Sequence, residues 1–198
     1  MIIIDKRLNL DEMDILQQLV GKKIISFRHD EFNFNNSSSQ VVGIETELGM
    51  VYLYNFTEPL DYYGSVEDVA VLELTKERYK FVDNKNLISS PVGEVVKEIR
   101  VVQENQRLLE NGTQTYDVWV TRGIIFDFGD HQYAFEKPIW FSEDIYIHKG
   151  YDLITKFTST EKFVNDDWCE GCKAECEREI VSFGYNKQKA IKNKPSYE

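Results

Sequence analysis

Ile44-Glu45-Thr46-Glu47-Leu48-Gly49-Met50-Val51-Tyr52-Leu53-Tyr54 holds two alternating runs on either side of a Leu-Gly step. Alternation at every second residue is the period of a strand with one buried face. Two such runs joined by a short, glycine-bearing link read as a β-hairpin. Val41 to Thr46 and Met50 to Phe56 are its predicted arms. Short links and alternation favour an antiparallel sheet over a parallel one, whose strands read as continuous apolar runs.

The same cues recur outward from this hairpin. Lys23 to Arg28 and Val66 to Leu74 read as strands. Val95 to Leu109 and Thr113 to Thr121 flank Asn111-Gly112, a pair that tolerates the positive φ angles of a tight hairpin turn. Ile124 to Phe128 and Gln132 to Phe135 flank Gly129-Asp130. Pro138-Ile139-Trp140-Phe141 leads into a strand from Glu143 to Ile147, and Tyr151 to Thr158 reads as another. Cys176 to Phe183 fits a strand or a helix, within an ambiguous stretch from Glu161 to Glu179. Asp30 to Gln40 is polar and reads as a loop, Thr57 to Gly64 as irregular, and Thr75 to Ser90 as a connector. Near the start, Asn9 followed three residues later by Glu12 has the form of a capping box. Leu10, Met13, Leu16, Leu19 and Val20 follow at helical spacing until Gly21 stops the helix.

Three blocks read as an internal duplication. Val20 to Arg28 reads against Val92 to Arg100, Ile44 to Tyr54 against Val118 to Phe128, and Glu67 to Val71 against Glu143 to Ile147. The expected architecture is mainly β: antiparallel sheets from two tandem copies of a small β-rich unit, with an N-terminal helix. Residues 1–74 form the first unit and 91–150 the second, packed as one body. Residues 151–185 form a C-terminal extension with the cysteines, and 186–198 a flexible basic tail.

The chain has 198 residues, 42% of them hydrophobic, and a formal net charge of −11. Its tail carries Lys187, Lys189, Lys192 and Lys194 against Glu198, so the preceding body is more acidic still. Such a body repels phosphate backbones and attracts basic partners, which argues against direct nucleic-acid binding. No run of ~18 apolar residues is present to span a membrane, and the apolar start precedes its basic residues, the reverse of a signal peptide. The odd count of three cysteines cannot pair fully within the chain, which favours a reducing cytoplasm.

Few sequence features carry chemistry. Cys169, Cys172 and Cys176 form C-x2-C-x3-C, a spacing that can bite one Zn²⁺, with His148 the best candidate for a fourth ligand. Asp166, Asp167, Glu170, Glu175 and Glu177 crowd these cysteines and work against reactive thiolates, so ordinary reduced cysteines and no cofactor are the expectation. The nucleobase-deaminase pattern fails, because His148-Lys149-Gly150 lacks the Glu and no Pro precedes Cys169. A sequential pair such as His29-Asp30 puts its side chains on opposite faces of a strand, and Asp130-His131 falls in a turn. No nucleophile elbow, phosphate loop or zinc-protease helix exists, and the expectation is a protein that is not an enzyme. What remains is an acidic, aromatic surface suited to partner binding: Glu58, Asp61, Tyr62 and Tyr63 in one segment, Asp166, Asp167 and Trp168 in another. Glu67-Asp68 and Glu143-Asp144 recur in both units and read as scaffold.

The opening helix, Val20-Gly21-Lys22-Lys23-Ile24-Ile25, and the β-rich run from Ile44 to Leu53 resemble small acidic immunity-type proteins of bacterial polymorphic toxin systems. The resemblance covers residues 10–150. It implies an acidic cytoplasmic protein that binds and neutralises a toxin domain, but it places no contact residues. The cysteine segment lies outside it. Rival expectations are a phage-encoded inhibitor of a host defence protein and a metal-dependent enzyme or zinc-binding module using the three cysteines.

Overall fold

The computed structural model describes residues 1–31 and 36–184. The basic tail lies outside the described residues, as do positions 32–35 of the polar loop. In order, the elements are β1 (Ile2–Lys6), α1 (Leu10–Leu19), β2 (Lys23–His29), β3 (Ser37–Ser39), β4 (Val41–Thr46), β5 (Gly49–Tyr62) and β6 (Ser65–Thr75). Then come β7 (Ile88–Val95), β8 (Glu98–Glu110), β9 (Thr113–Asp127), β10 (Gln132–Glu136), β11 (Asp144–Gly150), α2 (Glu161–Val164) and β12 (Cys172–Gly184). One sheet runs β6-β5-β4-β2-β7. The other runs β12-β8-β9-β10-β11-β3, with β1 added to β9 as the one parallel pair among the described residues. Among the described residues, no helix is long and apolar enough to cross a membrane.

The capping box closes as read. Asn9 accepts from the backbone of Asp11 and Glu12, and Glu12 Oε2 accepts from Asn9 N at 2.6 Å. The other Glu12 oxygen accepts from Leu74 N at 2.8 Å, so the carboxylate that caps α1 also moors it to β6. Burial pushes the Glu12 pKa up, against the pull of these hydrogen bonds. Leu16 and Leu19 enter the core, whereas Leu10 points outward. Gly21 supplies the positive φ that turns the chain into β2.

The main core lies between the sheets. Phe27, Ile44, Leu53 and Leu72 of the first meet Ile99, Val101, Ile124, Phe126 and Phe135 of the second. The Phe27 ring alone contacts Phe126, Tyr133 and Phe135 at centroid separations of 4.8–5.8 Å.

Each sheet contains a four-stranded meander of the same connection order, β2-β4-β5-β6 and β8-β9-β10-β11. Their residue-level correspondence breaks down in the middle block. The Leu48-Gly49 turn of the first unit reads against Arg122-Gly123, which lie inside the continuous strand β9. The units also exchange edges. β7, from the second unit, completes the first sheet against β2, and β3, from the first, pairs with β11. The C-terminal segment is part of the scaffold, because β12 pairs with β8 over its whole length from Cys172 to Gly184. Three further readings change. Thr57 to Tyr62 continues β5, Tyr151 to Thr158 holds a short 3-10 helix at Leu153–Lys156 rather than a strand, and Ile2–Lys6 forms an unforeseen strand.

One irregularity in β9 controls which face its residues use. Val102 pairs with Gly123 and Gln103 with Thr121, which leaves Arg122 as an extra, bulged residue. A bulge shifts the parity of the strand beyond it. Tyr116, Val118 and Val120 therefore share a face with Leu108, Gln106 and Glu104, whereas Ile124 and Phe126 lie opposite Val101 and Ile99 on the face toward the other sheet. Gly123 is obligatory here, since a Cβ would meet Phe135 O at 2.1 Å and the Phe157 ring at 2.9 Å. Gly123→Ala is expected to lose at least about 2 kcal/mol, measured by urea denaturation, because its obstacle is backbone that cannot step aside.

Candidate functional site

Beyond the bulge, the long hairpin β5–β6 reaches across to the second sheet. Ala70 N donates to Trp140 O at 2.6 Å, and Asn55 Nδ2 donates to Ser142 O and Asp144 O, both at 3.0 Å. Glu143 accepts from the Gln40 side chain and from Thr57 N, a scaffold role as read from the sequence. Glu67 and Asp68 are instead exposed on β6.

The hairpin tip turns at Tyr63 and Gly64, both at positive φ. For an aromatic residue that conformation costs about 1–2 kcal/mol. Burial of the ring offsets it. Tyr63 packs on Trp168 (5.0 Å), Tyr116 (5.1 Å) and Phe163 (5.5 Å), and Tyr62 on Phe141 (4.8 Å) and Trp140 (5.5 Å). Trp168 is fixed by its own Nε1, which donates to Phe163 O at 2.9 Å. The Tyr62-Tyr63 and Asp166-Asp167-Trp168 segments, a hundred residues apart, thus meet in one aromatic cluster.

Their side chains divide into two groups. Tyr62, Tyr63 and Trp168 are partly buried and pack inward. Asp61 accepts from Gly64 N at 2.8 Å and Tyr116 OH at 3.0 Å, which ties the turn down, and Glu58 pairs with Lys6 at 2.6 Å. Asp166 and Asp167 remain exposed beside the cluster. The large apolar groups left open nearby are Val66 at the hairpin tip, 76% exposed, and Phe141, 53% exposed.

A cavity of about 300 Å³ opens between this tip and the connections around β10 and α2. Tyr62, Trp140, Phe141 and Phe163 give it aromatic walls, Thr158, Ser159 and Thr160 line one side, and Glu104, Gln106 and Arg122 contribute from the sheet. The bulge puts Arg122 there. Its Nη2 donates to Pro138 O at 2.7 Å, while its Nε stands 3.4 Å from Glu104 Oε2 without a hydrogen bond. Glu104 is the hub. Oε1 accepts from Arg178 Nε and Nη2, and Oε2 from Gln106 Nε2 at 3.0 Å. Lys137, 1% exposed, sits behind with its ammonium nitrogen 4.3 Å from the Trp140 ring centre and no hydrogen-bond partner. Desolvation, then the Arg122 charge, drives its pKa well below the lysine range. The sequence marked this site only through Arg122-Gly123, a charged residue and a glycine interrupting an apolar strand.

The cysteines do not assemble as one ligand set. Cys169 and Cys172 are joined as a disulfide, contrary to the expectation of reduced thiols, and this removes both from a zinc site. Cys176 is half-buried on β12, and burial, with the Glu104 charge adding, pushes its thiol up to about 12. His148, the candidate fourth ligand, is held by Glu136 at 3.0 Å.

The other histidines form local contacts. His29 Nδ1 lies 2.7 Å from the Asp30 carbonyl and Nε2 2.7 Å from Ser90 Oγ. With Nδ1 donating to that carbonyl, Nε2 accepts the Ser90 hydroxyl proton, while the Asp30 carboxylate instead accepts from Ser39 N and pairs with Lys85. His131, Asp130 and Glu94 cluster at the surface, where the His131 hydrogen bond holds the Asp130 pKa down. No protein-family model, curated protein or solved structure matches the chain.

Two outcomes follow from the buried groups. Burial makes the folded chain bind fewer protons at Lys137 than the unfolded chain does, between its lowered pKa and the ordinary value of ~10.4. Stability therefore rises with pH across that window. Lys137→Met is expected to be more stable than the wild type by about 1–3 kcal/mol at neutral pH, a gap that narrows as pH rises toward ~10 in denaturant titrations. Thiol labelling of the folded, reduced chain near neutral pH is expected to modify the exposed Cys169 readily and Cys176 far more slowly until the chain unfolds.

Proposed function

We propose that this chain is a non-catalytic, cytoplasmic protein-binding protein of the immunity or inhibitor kind, which blocks a basic partner by covering it. The observation carrying this reading is the meeting of the β5–β6 tip with the Asp166–Trp168 segment. Their rings pack into a firm platform, around which Asp166, Asp167, Glu67 and Asp68 stay exposed. Carboxylates at a rim steer a basic partner and set its on-rate, whereas exposed apolar groups supply contact area. On this platform Phe141, Ile139 and Val66 are the open apolar groups, and they replace the inward-packed tyrosines as contact anchors. A rigid platform limits the side-chain ordering that binding would otherwise cost.

Site-specific photo-crosslinking in cells tests this reading. A photoreactive residue at 141 or 66 is expected to trap the same basic protein, and one at the exposed Leu48 of the distant β4–β5 turn to trap none. Asp166→Lys with Asp167→Lys is expected to slow association at least tenfold at low salt, with the difference shrinking at high salt. Equal trapping at all three positions, or association insensitive to charge and salt, contradicts the reading.

A further inference from the structure

The cavity beneath the hairpin tip is more finely built than a contact platform needs. Its polar end has a surplus of donors. Arg122 carries five N–H groups, and the hydrogen bond it makes is the one from Nη2 to Pro138 O, while Nε has no acceptor despite a side chain only 5% exposed. Glu104 faces Nε as an ion pair at 3.4 Å from Oε2, not as a hydrogen-bond acceptor, while Oε1 already accepts twice from Arg178 and Oε2 once from Gln106. Its single negative charge lies between the two guanidinium groups. The hydroxyl-bearing Thr158, Ser159 and Thr160 and the ammonium-bearing Lys162 line the cavity as well, with Asp166 the opposing charge at its edge. Four rings, Tyr62, Trp140, Phe141 and Phe163, also line it. The volume of about 300 Å³ lies at the small end of the ~300–1,000 Å³ range of small-ligand pockets.

We propose that this cavity is a binding site for a small aromatic carboxylate, whose ring lies among Tyr62, Trp140, Phe141 and Phe163 and whose carboxylate accepts from Arg122. The ring faces explain the aromatic body, since offset and edge-on contacts favour a flat guest. The Arg122 guanidinium, which lines the cavity, explains the acidic head, because a carboxylate accepts from a guanidinium through charge-assisted hydrogen bonds that a neutral acceptor cannot match. The inference does not rest on partner binding: Phe141 and Asp166 lie at both sites, but the ligand, the Arg122 contact and the test are different.

Calorimetric titration of the full chain with indole-3-acetate, indole-3-acetamide and indole provides the test, with Trp fluorescence as a second readout. Indole-3-acetate is expected to bind at least tenfold tighter than the amide, and indole more weakly than either. Arg122→Gln is expected to abolish the preference for the acid. Lys162→Glu, at an exposed position of α2, is expected to weaken the acid several-fold and leave the amide unchanged. Phe141→Ala, also exposed, is expected to weaken all three. Equal affinity for acid and amide, binding unaffected by Lys162→Glu and Phe141→Ala, or no binding by any of the three compounds would overturn the proposal.

Discussion

One extra residue in β9 determines how the two ends of the second sheet are used. Without the bulge at Arg122, the strand would keep one alternation from Asp127 down to Tyr116, below which a second irregularity at Thr115 shifts the register again. With it, the upper half of β9 contributes Ile124 and Phe126 to the core between the sheets. The lower half contributes Tyr116, Val118 and Val120 to a second cluster on the other face. Gly123 lets β10 approach β9 at this point, and Arg122 turns toward Glu104. A packing seam and a polar site thus arise from the same backbone irregularity, as expected where a bulge re-aims a side chain.

Glu104 illustrates how a buried charge is tolerated. Its carboxylate lies 3% exposed, yet it holds two bonds from Arg178 and one from Gln106, and it has Arg122 alongside. Arg178 belongs to β12, so the C-terminal strand contributes a charge partner as well as a sheet edge. Lys137 is the contrasting case: an amine deep in the same region with a ring face but no acceptor. An apolar side chain of equal size would fill the same space at lower cost.

The aromatic residues singled out from the sequence do come together, but as mutual packing. Tyr63 holds a strained backbone because its ring is enclosed by Trp168, Phe163 and Tyr116. Asp61 serves the turn and Glu58 serves β1, which leaves the acidic surface to Asp166, Asp167, Glu67 and Asp68. A large aromatic side chain gains more by covering a neighbouring ring than by waiting in water, so inward packing is its ordinary fate.

The features set by local physics could be read from the sequence alone. Alternation and glycine turns specified antiparallel strands and their hairpins, and Asn9 with Glu12 specified the start of α1, because each depends on residues within a few positions of one another. The sequence also placed the acidic and aromatic segments without saying that they touch. Tertiary structure alone decided the rest. It moved β7 and β3 into the opposite sheets, made β12 a full-length neighbour of β8, and converted Thr57 to Tyr62 from a loop into the reach of a long hairpin. It joined Cys169 to Cys172 and left Cys176 against Glu104. The strand exchanges depend on partners about 60 to 110 residues away, and a strand's own composition does not record which edge it will meet. The cavity follows the same rule: Arg122, Tyr62 and Thr160 became one site only when a bulge, a hairpin tip and a connection after β11 closed around the same space.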